Sequence, residues 1–339
     1  MKNVFTFNID VLGSCNLSCP SCPVGNLKSV KNPKGFMSPE LLDKILHKAV
    51  NECSISTVGL FNWTEPLLHP QISELVRIVN SYNVPCFLSS NLNILKNPEE
   101  ILRANPHSFR ISVSGYNQAV YSINHRGGNI EKVKENMIAL AKAKSTTDSN
   151  TEIHVLYHRY LGNLDDEILM KTFTNNLGFN FLPVWAFMMP PEKILAYVDD
   201  DYKEEVLTEE DLQVINRLAL PLKEALEAVQ VYKNQDCRLR AREMTLDFMG
   251  NVQLCCGVYD SQKYTLKPFL EATVEELQDM KYKHNLCTKC MDKACHVYGV
   301  YGGSGELDQI AMDNLTMYYS QHLFGDNLWQ CIVSPKIVH

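Results

Sequence analysis

The sequence predicts an α/β fold in which helices cover a parallel sheet that closes into a partial barrel, followed by a small cysteine-rich domain. Three observations support this prediction. Apolar, strand-like runs alternate with amphipathic helical stretches six times along the first part of the chain. The composition becomes strongly charged near residue 199, and cysteines cluster both before and after that point. Strands that alternate with helices are typical of parallel sheets, and six such units suit an incomplete barrel.

The bulk composition describes a globular cytoplasmic protein. Of the 339 residues, 45% are hydrophobic and 21% are charged, and no apolar run approaches the length of a membrane span. The N-terminus lacks the apolar core of a signal peptide, so we expect no membrane partner. The net charge of −7 argues against a nucleic-acid partner. In the cytoplasm, the 12 cysteines are expected to be metal ligands and core thiols rather than disulfides.

The first unit combines an alternating strand at residues 4–12 with a helix that begins at Ser38 and Pro39. Ser is a favoured N-cap, and Pro is favoured at the first helical position. The later strands are predicted at 55–61, 85–89, 109–114, 151–157 and 181–187, and the helices at 69–82, 98–104, 129–144 and 164–177.

A β-hairpin with Gly250 at its turn and a helix capped by Thr273 and Glu276 are predicted within the cysteine-rich region. Together, these patterns divide the chain into four regions. The regions are a barrel at 1–200, a helical connector at 201–230, the cysteine-rich domain at 231–300, and an unassigned extension at 301–339.

Cys15, Cys19 and Cys22 form a C-x3-C-x2-C group directly after the first strand. Three thiols within eight residues are too crowded for core packing and too close for a disulfide framework. They are better interpreted as ligands of an iron–sulfur cluster, with one iron left open for chemistry. A zinc site completed by a distant residue, or unliganded thiols, remain the alternatives.

A second group contains Cys237, Cys255, Cys287 and Cys290. Four soft ligands fit a closed iron–sulfur cluster or a structural zinc ion, and the spacing favours neither. Cys53 and Cys86 lie within apolar segments and are predicted to be buried thiols.

Polar side chains follow several predicted strands. They are Glu65, Asn91, Ser114 and Arg126. Each alone could be an ordinary turn or cap residue. In (β/α) barrels, however, the loops at the carboxyl ends of the strands build the active site, so we expect these side chains to meet the cysteine triplet there.

The triplet, its place after the first strand and the chain that follows resemble the radical S-adenosylmethionine (SAM) enzymes. The resemblance implies that Cys15, Cys19 and Cys22 hold a [4Fe-4S] cluster whose free iron binds the amino and carboxylate groups of SAM. Ser21 departs from the family, which often has an aromatic residue just before the last cysteine.

The same resemblance assigns roles to the polar residues at the strand ends. Glu65 is similar to the Glu of the family's Gly-Gly-Glu motif, which receives the SAM amino group, although positions 63 and 64 are not Gly. Asn91 and Ser114 fall where the family contacts the ribose. Arg126 is a candidate carboxylate partner, because a guanidinium matches carboxylate geometry.

The second cysteine group is similar to the twitch domain, the shortened relative of the SPASM domain in this family. The resemblance implies one auxiliary [4Fe-4S] cluster on Cys237, Cys255, Cys287 and Cys290. Cys256 could replace Cys255 as a ligand or stand free beside the cluster. Cys295 and Cys331 are the residues that could add a second auxiliary cluster.

The resemblance implies that SAM is cleaved to a 5′-deoxyadenosyl radical, which abstracts hydrogen from a C–H bond, with electrons from an external donor such as flavodoxin or ferredoxin. The predicted substrate is a small polar metabolite such as a sugar, cyclitol or nucleoside, which is oxidised or epimerised with help from the auxiliary cluster. Modification of a ribosomal peptide is the alternative within the family. A zinc-stabilised, non-catalytic binding protein is the alternative from another class.

Proton and hydrogen transfer need further residues. Tyr157 and His158, at the end of the fifth predicted strand, are candidates for the base that deprotonates a substrate radical, and His158 is favoured because its ordinary pKa is near neutral. An epimerase must also return a hydrogen atom, and Cys256 or Cys295 could supply it from a thiol.

Overall fold

The computed structural model describes residues 3–299 and 305–322, so Cys331 lies outside the described residues. Within these ranges, nine strands form one sheet around which the chain is built. The strands are β1 Val4–Ile9, β2 Ser54–Gly59, β3 Cys86–Ser90, β4 Ser108–Val113, β5 Glu152–Arg159, β6 Asn180–Trp185, β7 Glu243–Leu246, β8 Asn251–Gln253 and β9 Thr265–Pro268.

The sheet has the order β6-β5-β4-β3-β2-β1-β7-β8-β9. Strands β1 to β6 are all parallel, which confirms the predicted partial barrel. Strand β7 adds in parallel to the free edge of β1, and β8 and β9 continue antiparallel from it. The turn between β7 and β8 contains Gly250 at a positive φ of 81°, the left-handed conformation that favours Gly. The cysteine-rich region therefore continues the barrel sheet directly.

Helices follow the strands as the hydrophobic periodicity predicts. They are α1 Pro23–Asn26, α2 Pro39–Glu52, α3 Ile72–Ser81, α4 Pro98–Arg103, α5 Gln118–Asn124, α6 Ile130–Thr146, α7 Leu164–Asn176, α8 Pro191–Val198, α9 Glu209–Ile215, α10 Leu222–Ala228, α11 Arg238–Arg242, α12 Ser261–Tyr264, α13 Val274–Tyr282, α14 Asn285–Asp292, α15 Cys295–Gly299 and α16 Gly305–His322. Ser38 caps α2, and Thr273 and Glu276 form the predicted capping box of α13. Among the helices described, none is long and apolar enough to cross a membrane.

Strand alternation divides the barrel into two faces. On β4, Phe109, Ile111 and Val113 are buried in the core beneath the helices, whereas Arg110 and Ser112 lie on the opposite face, inside the barrel. Because side chains of a strand alternate between faces, every strand contributes its intervening residues to this interior. The polar residues available for chemistry therefore come from one face of the sheet.

A second hydrophobic core lies beneath the cysteine-rich region. It joins residues of α8, α9 and α10 to Leu307, Ala311 and Leu315 of α16. Part of the extension that the sequence left unassigned is therefore a helix that packs into this core. Cys53 and Cys86, predicted as buried thiols, are 2% and 0% exposed.

Candidate functional site

The first cysteine group lies on the loop between β1 and α1. The backbone N–H of Cys22 donates to the carbonyl of Cys19 at 3.1 Å, which closes a tight turn. Gly25 packs so closely that a Cβ there would lie 2.2 Å from the Cys19 carbonyl oxygen. Since no other residue fits at that distance, Gly25 allows α1 to fold back onto the turn and keeps the three cysteines together.

Burial and mutual repulsion keep these thiols protonated when nothing compensates their charge. Burial raises the pKa of Cys15 to about 11 and that of Cys19 to about 12, and it also raises the pKa of Cys22. For Cys19 and Cys22 the next cause is the neighbouring cysteine of the triplet. A cationic group bound to all three sulfurs would remove this repulsion, so the donor set fits a thiolate-ligated iron–sulfur cluster.

Arg126 clamps the triplet loop. Its Nε donates to the carbonyl of Ser18 at 2.9 Å, a terminal nitrogen donates to the carbonyl of Gly25 at 3.3 Å, and the guanidinium also pairs with Glu210 of α9. In return, the backbone N–H of Ser18 donates to the Arg126 carbonyl at 3.0 Å. The structure thus places this predicted SAM-binding residue against the loop, with its donors engaged by protein oxygens.

Glu65 lies at the end of β2, beside the triplet. Its carboxylate accepts hydrogen bonds from the backbone N–H groups of Asn91 at 2.8 Å and Leu67 at 3.0 Å. The side chain of Asn91 donates to Asn16 at 2.9 Å and lies 3.8 Å from the sulfur of Cys15. Burial raises the pKa of Glu65 to about 7. The structure therefore brings Glu65, Asn91 and Cys15 together, as their shared position predicted.

Asp10 is a site residue that the sequence analysis missed. Its carboxylate accepts hydrogen bonds from the backbone N–H groups of Asn62, Trp63 and Thr64 at 2.9 to 3.1 Å and from the Thr64 hydroxyl at 2.6 Å. These bonds shape the loop that leads into Glu65. An acidic residue directly after the first strand, on the interior face, was the available signal.

Ser114 and His158 are both neighbours of His125. The Ser114 hydroxyl is hydrogen-bonded to Nδ1 of His125 at 2.7 Å, and the His125 ring lies 6.3 Å from the ring of His158. Burial lowers the pKa of His158 to about 4 and that of His125 to about 3, so both imidazoles are neutral near pH 7. His125 was not singled out from the sequence.

Tyr157 lies on the other face of β5. It is fully buried in the core, and its hydroxyl donates to the carbonyl of Asn163 at 2.7 Å. Since neighbouring strand residues point to opposite faces, His158 and Tyr157 cannot both face the barrel interior. The structure does not bring the Tyr157 hydroxyl to the site. The prediction that Tyr157 and His158 are both candidate bases did not take the alternation of strand side chains into account.

The second cysteine group lines one largely apolar, partly open pocket with an empty volume of about 680 Å³. The segments that supply it are the loop before α11, the loop after β8, and helices α14 and α15. The cysteines are Cys237, Cys255, Cys256, Cys287, Cys290 and Cys295. The structure thus gathers the four predicted ligands in one place. Throughout residues 3–299 and 305–322, no three His, Cys, Asp or Glu side chains are arranged to hold a single metal ion.

The two additional cysteines differ in their partners. Cys256 is hydrogen-bonded to the carboxylate of Glu243, which also accepts a hydrogen bond from Asn8 at 3.1 Å. Cys295 is hydrogen-bonded to Cys290 and belongs to the second core. Glu243 therefore connects Cys256 to Asn8 of β1, whereas Cys295 packs in the second core, and both cysteines line the pocket.

Lys281 is a fully buried cation next to this pocket. Its ammonium donates to the backbone carbonyl of Glu243, and the thiols of Cys255, Cys256 and Cys287 are among its electrostatic neighbours. Burial lowers its pKa to about 8, an effect that these neighbours oppose. A buried ammonium is costly unless an anion lies close by, and a thiolate-ligated cluster would be such an anion.

A short segment connects the two cysteine groups. After Cys256, the carbonyl of Val258 accepts a hydrogen bond from the Trp63 indole at 2.8 Å, and the carbonyl of Tyr259 accepts one from Asn32 at 2.6 Å. Together with Asp10, these residues line a cleft of about 500 Å³ at the end of β1. One chain segment therefore links the cysteine-rich pocket to the mouth of the barrel.

Comparison with solved structures shows the fold. SuiB from Streptococcus suis bound to precursor peptide SuiA is 13% identical, with a TM-score of 0.56 over 85% of this chain and 66% of SuiB. Native anSMEcpe with bound AdoMet is 16% identical, with a TM-score of 0.58 over 94% of this chain and 97% of that one. The chain thus spans slightly less than two thirds of SuiB. No curated protein matches the chain by sequence.

A match to a family defines the larger domain. Residues 9–166 match the radical SAM superfamily, and this range contains the cysteine triplet, Glu65 and Asn91. It begins inside β1 and ends in α7, so it covers most of the parallel barrel. Residues 9–166 are therefore a radical SAM domain.

Proposed function

We propose that this protein is a radical SAM enzyme in which Cys15, Cys19 and Cys22 hold the SAM-binding [4Fe-4S] cluster. The observation that carries the proposal is the convergence of the three thiols, Glu65 and Asn91 at the carboxyl ends of β1 to β3. When bound, the cluster would supply the electron that cleaves SAM to methionine and a 5′-deoxyadenosyl radical. The protein's residues then bind SAM and hold the substrate against it.

Glu65 is proposed to receive the amino group of SAM. Its carboxylate is already fixed by two backbone N–H groups, so no side-chain ordering is needed when SAM binds. Asn91, held against Asn16 beside Cys15, can contact the ribose. Ser114 and Arg126, whose polar groups are bonded to His125 and to the triplet loop, are proposed to act by positioning these elements.

The second cysteine pocket is proposed to hold one auxiliary [4Fe-4S] cluster, with Cys237, Cys255, Cys287 and Cys290 as ligands. Such a cluster can accept an electron from a substrate radical, which gives net oxidation without another oxidant. The apolar lining and the buried ammonium of Lys281 support an anionic cluster there. His158, which burial keeps neutral, can accept the proton that such an oxidation releases.

Two substrate classes are proposed. The small cysteine-rich domain resembles that of enzymes that oxidise or epimerise small polar metabolites, which is the first choice. Peptide modification is the second candidate, and a specific observation favours it: SuiB was solved with a precursor peptide, and anSMEcpe with AdoMet and the Cp18Cys peptide. In an epimerisation, Cys256 would be the hydrogen donor, because Glu243 connects it to Asn8 on the first strand of the barrel.

Anaerobic reconstitution followed by reduction with dithionite tests the proposal. We expect about eight iron atoms per chain, four for each cluster, and formation of 5′-deoxyadenosine from SAM. Deuterated metabolites and peptides then show which class transfers deuterium into 5′-deoxyadenosine. Bound zinc, no iron and no SAM cleavage would instead support a non-catalytic, zinc-stabilised protein.

A further inference from the structure

Arg110 is a cation inside the barrel, away from the two cysteine groups. Arg110 is on the interior face of β4, and its guanidinium carbon lies 4.4 Å from the centre of the Phe87 ring. Phe87 itself packs on the backbone of Gly59, where a Cβ would lie 2.6 Å from the ring. The ring therefore forms a fixed platform on β2 and β3, and the guanidinium is held above it by a cation–π contact.

This guanidinium has no anionic partner among the described residues. Burial lowers the pKa of Arg110, and no carboxylate acts against that effect. By contrast, Arg159 on the neighbouring strand is bound by both carboxylate oxygens of Glu167, at 2.7 and 2.8 Å. Arg110 is half-buried on the interior face and has no carboxylate partner within the ranges that the structure describes, so its guanidinium can pair with an anion that enters there.

His154 lies beside it on β5. Arg110 and His154 are directly paired across the two parallel strands, so their side chains share the interior face. Nε2 of His154 lies 3.1 Å from Glu152, whereas Nδ1 is buried without a hydrogen-bond partner in the described part of the chain. His154 therefore places an imidazole beside Arg110 on the same face of the sheet.

Arg110 and His154 both line a cavity of about 860 Å³ at the amino ends of the strands, although Nδ1 of His154 is itself buried. Its lining includes Thr6, Phe87, His107, Arg110 and His154, and also Glu152, whose carboxylate is paired with His154. Val113, the last residue of β4, is three positions beyond Arg110, a distance of about 10 Å at the rise of a strand. The residues proposed to bind SAM lie beyond that far end, so a substrate held at Arg110 must extend for at least this distance to reach SAM.

We propose that the barrel binds its substrate through an anionic oxygen group, a carboxylate or a phosphate, that pairs with Arg110 at the amino ends of the strands. A guanidinium binds either group through paired hydrogen bonds. The reacting carbon would lie about 10 Å from this group, toward the triplet. That the bound molecule is the substrate rests on the proposed function, whereas the anion site itself does not.

Equilibrium dialysis on the cluster-loaded protein tests the site, with inorganic phosphate and succinate as separate probes. We expect saturable binding of at least one, and the tighter probe identifies the chemical source. Arg110→Gln should weaken binding by about tenfold or more, because hydrogen bonds to charged groups are the strong ones. Arg103→Gln, which removes an exposed cation from α4, is the matched control and should bind as the wild type does.

A measurement on the wild type guards against misfolding of the variant. The bound anion should slow modification of Arg110 by phenylglyoxal without slowing that of Arg103, as read by peptide mass spectrometry. Failure of both anions to bind, or equal binding by wild type and Arg110→Gln, would overturn the site. Intact anion binding without any SAM cleavage would instead count against the proposed function and leave the site standing.

Discussion

The two cysteine groups are built in opposite ways. The triplet comes from one loop, and its neighbours are polar: Glu65 and Asn91 lie at the open ends of strands. The second group comes from several distant segments that line an apolar pocket, with Arg240 in the lining and the fully buried Lys281 beside it. Polar groups beside the triplet can hydrogen-bond a small polar molecule, whereas the apolar lining of the second pocket offers few hydrogen bonds to one. Under the proposed function, this contrast corresponds to chemistry at the first group and electron storage at the second.

Removal of a triplet cysteine should have the largest effect. Cys19→Ala leaves two thiols for the SAM-binding cluster, so we expect 5′-deoxyadenosine formation to fall to background. The measurement is chromatography of the products after anaerobic reduction. Cys53→Ala removes a core thiol outside both groups and is the control that should keep SAM cleavage. Normal cleavage by Cys19→Ala would show that the triplet is not the cluster site.

The corresponding change in the second group should separate the two functions. In Cys287→Ala, iron should fall from about eight to about four atoms per chain, while SAM is still cleaved. Oxidation of substrate should be lost, because the electron from the substrate radical has no acceptor. If Cys287→Ala also lost SAM cleavage, as Cys19→Ala is expected to, the two sites would not work independently. The proposed difference between the two cysteine groups would then be wrong.

The polar residues beside the triplet predict that the affinity for SAM depends on pH. Glu65 has a pKa of about 7 in the free protein, raised by burial, so it is partly protonated at neutral pH. The SAM ammonium favours the charged form, and binding therefore releases a proton. Affinity for SAM should be greatest above pH 7 and fall by up to about tenfold per pH unit below it.

Calorimetric titration of SAM about one unit on either side of pH 7 measures this effect. Glu65→Gln should bind SAM weakly and without that pH dependence. Glu74→Gln, an exposed carboxylate on α3, should retain the wild-type profile. An unchanged profile in Glu65→Gln would remove Glu65 from the SAM site.

The barrel could be predicted because its signals are local. Hydrophobic alternation marks strands such as β1, and caps such as Ser38 and Thr273 mark helix starts, so neighbouring residues suffice to define each element. The triplet was equally visible, since its three ligands lie within eight residues. The meeting of Glu65 and Asn91 with Cys15 followed from the rule that parallel strands end at the same edge.

What the sequence could not reveal depends on contacts between distant residues. Asp10 looks like an ordinary strand end until the 62–64 loop folds onto it. Tyr157 and His158 are equivalent by position, and only the register of β5 separates them. Lys281 is the clearest case, because a lysine near the end of an amphipathic helix reads as solvated, and its burial depends on Glu243, 38 positions away.

Lys281 carries the finest test of the comparison. Its buried ammonium would stabilise the more negative, reduced form of an auxiliary cluster, so Lys281→Met should make that cluster harder to reduce. The expected change is a potential more negative by tens of millivolts, where about 59 mV is tenfold for one electron. Redox titration followed by electron paramagnetic resonance measures it directly. Lys283→Met, at an exposed position paired with Asp279, is the matched control and should leave the potential unchanged. If the reduction potential of the triplet cluster shifted instead, Lys281 would act electrostatically on the SAM-binding cluster. The proposed difference between a reacting site and an electron-accepting site would then have no electrostatic support.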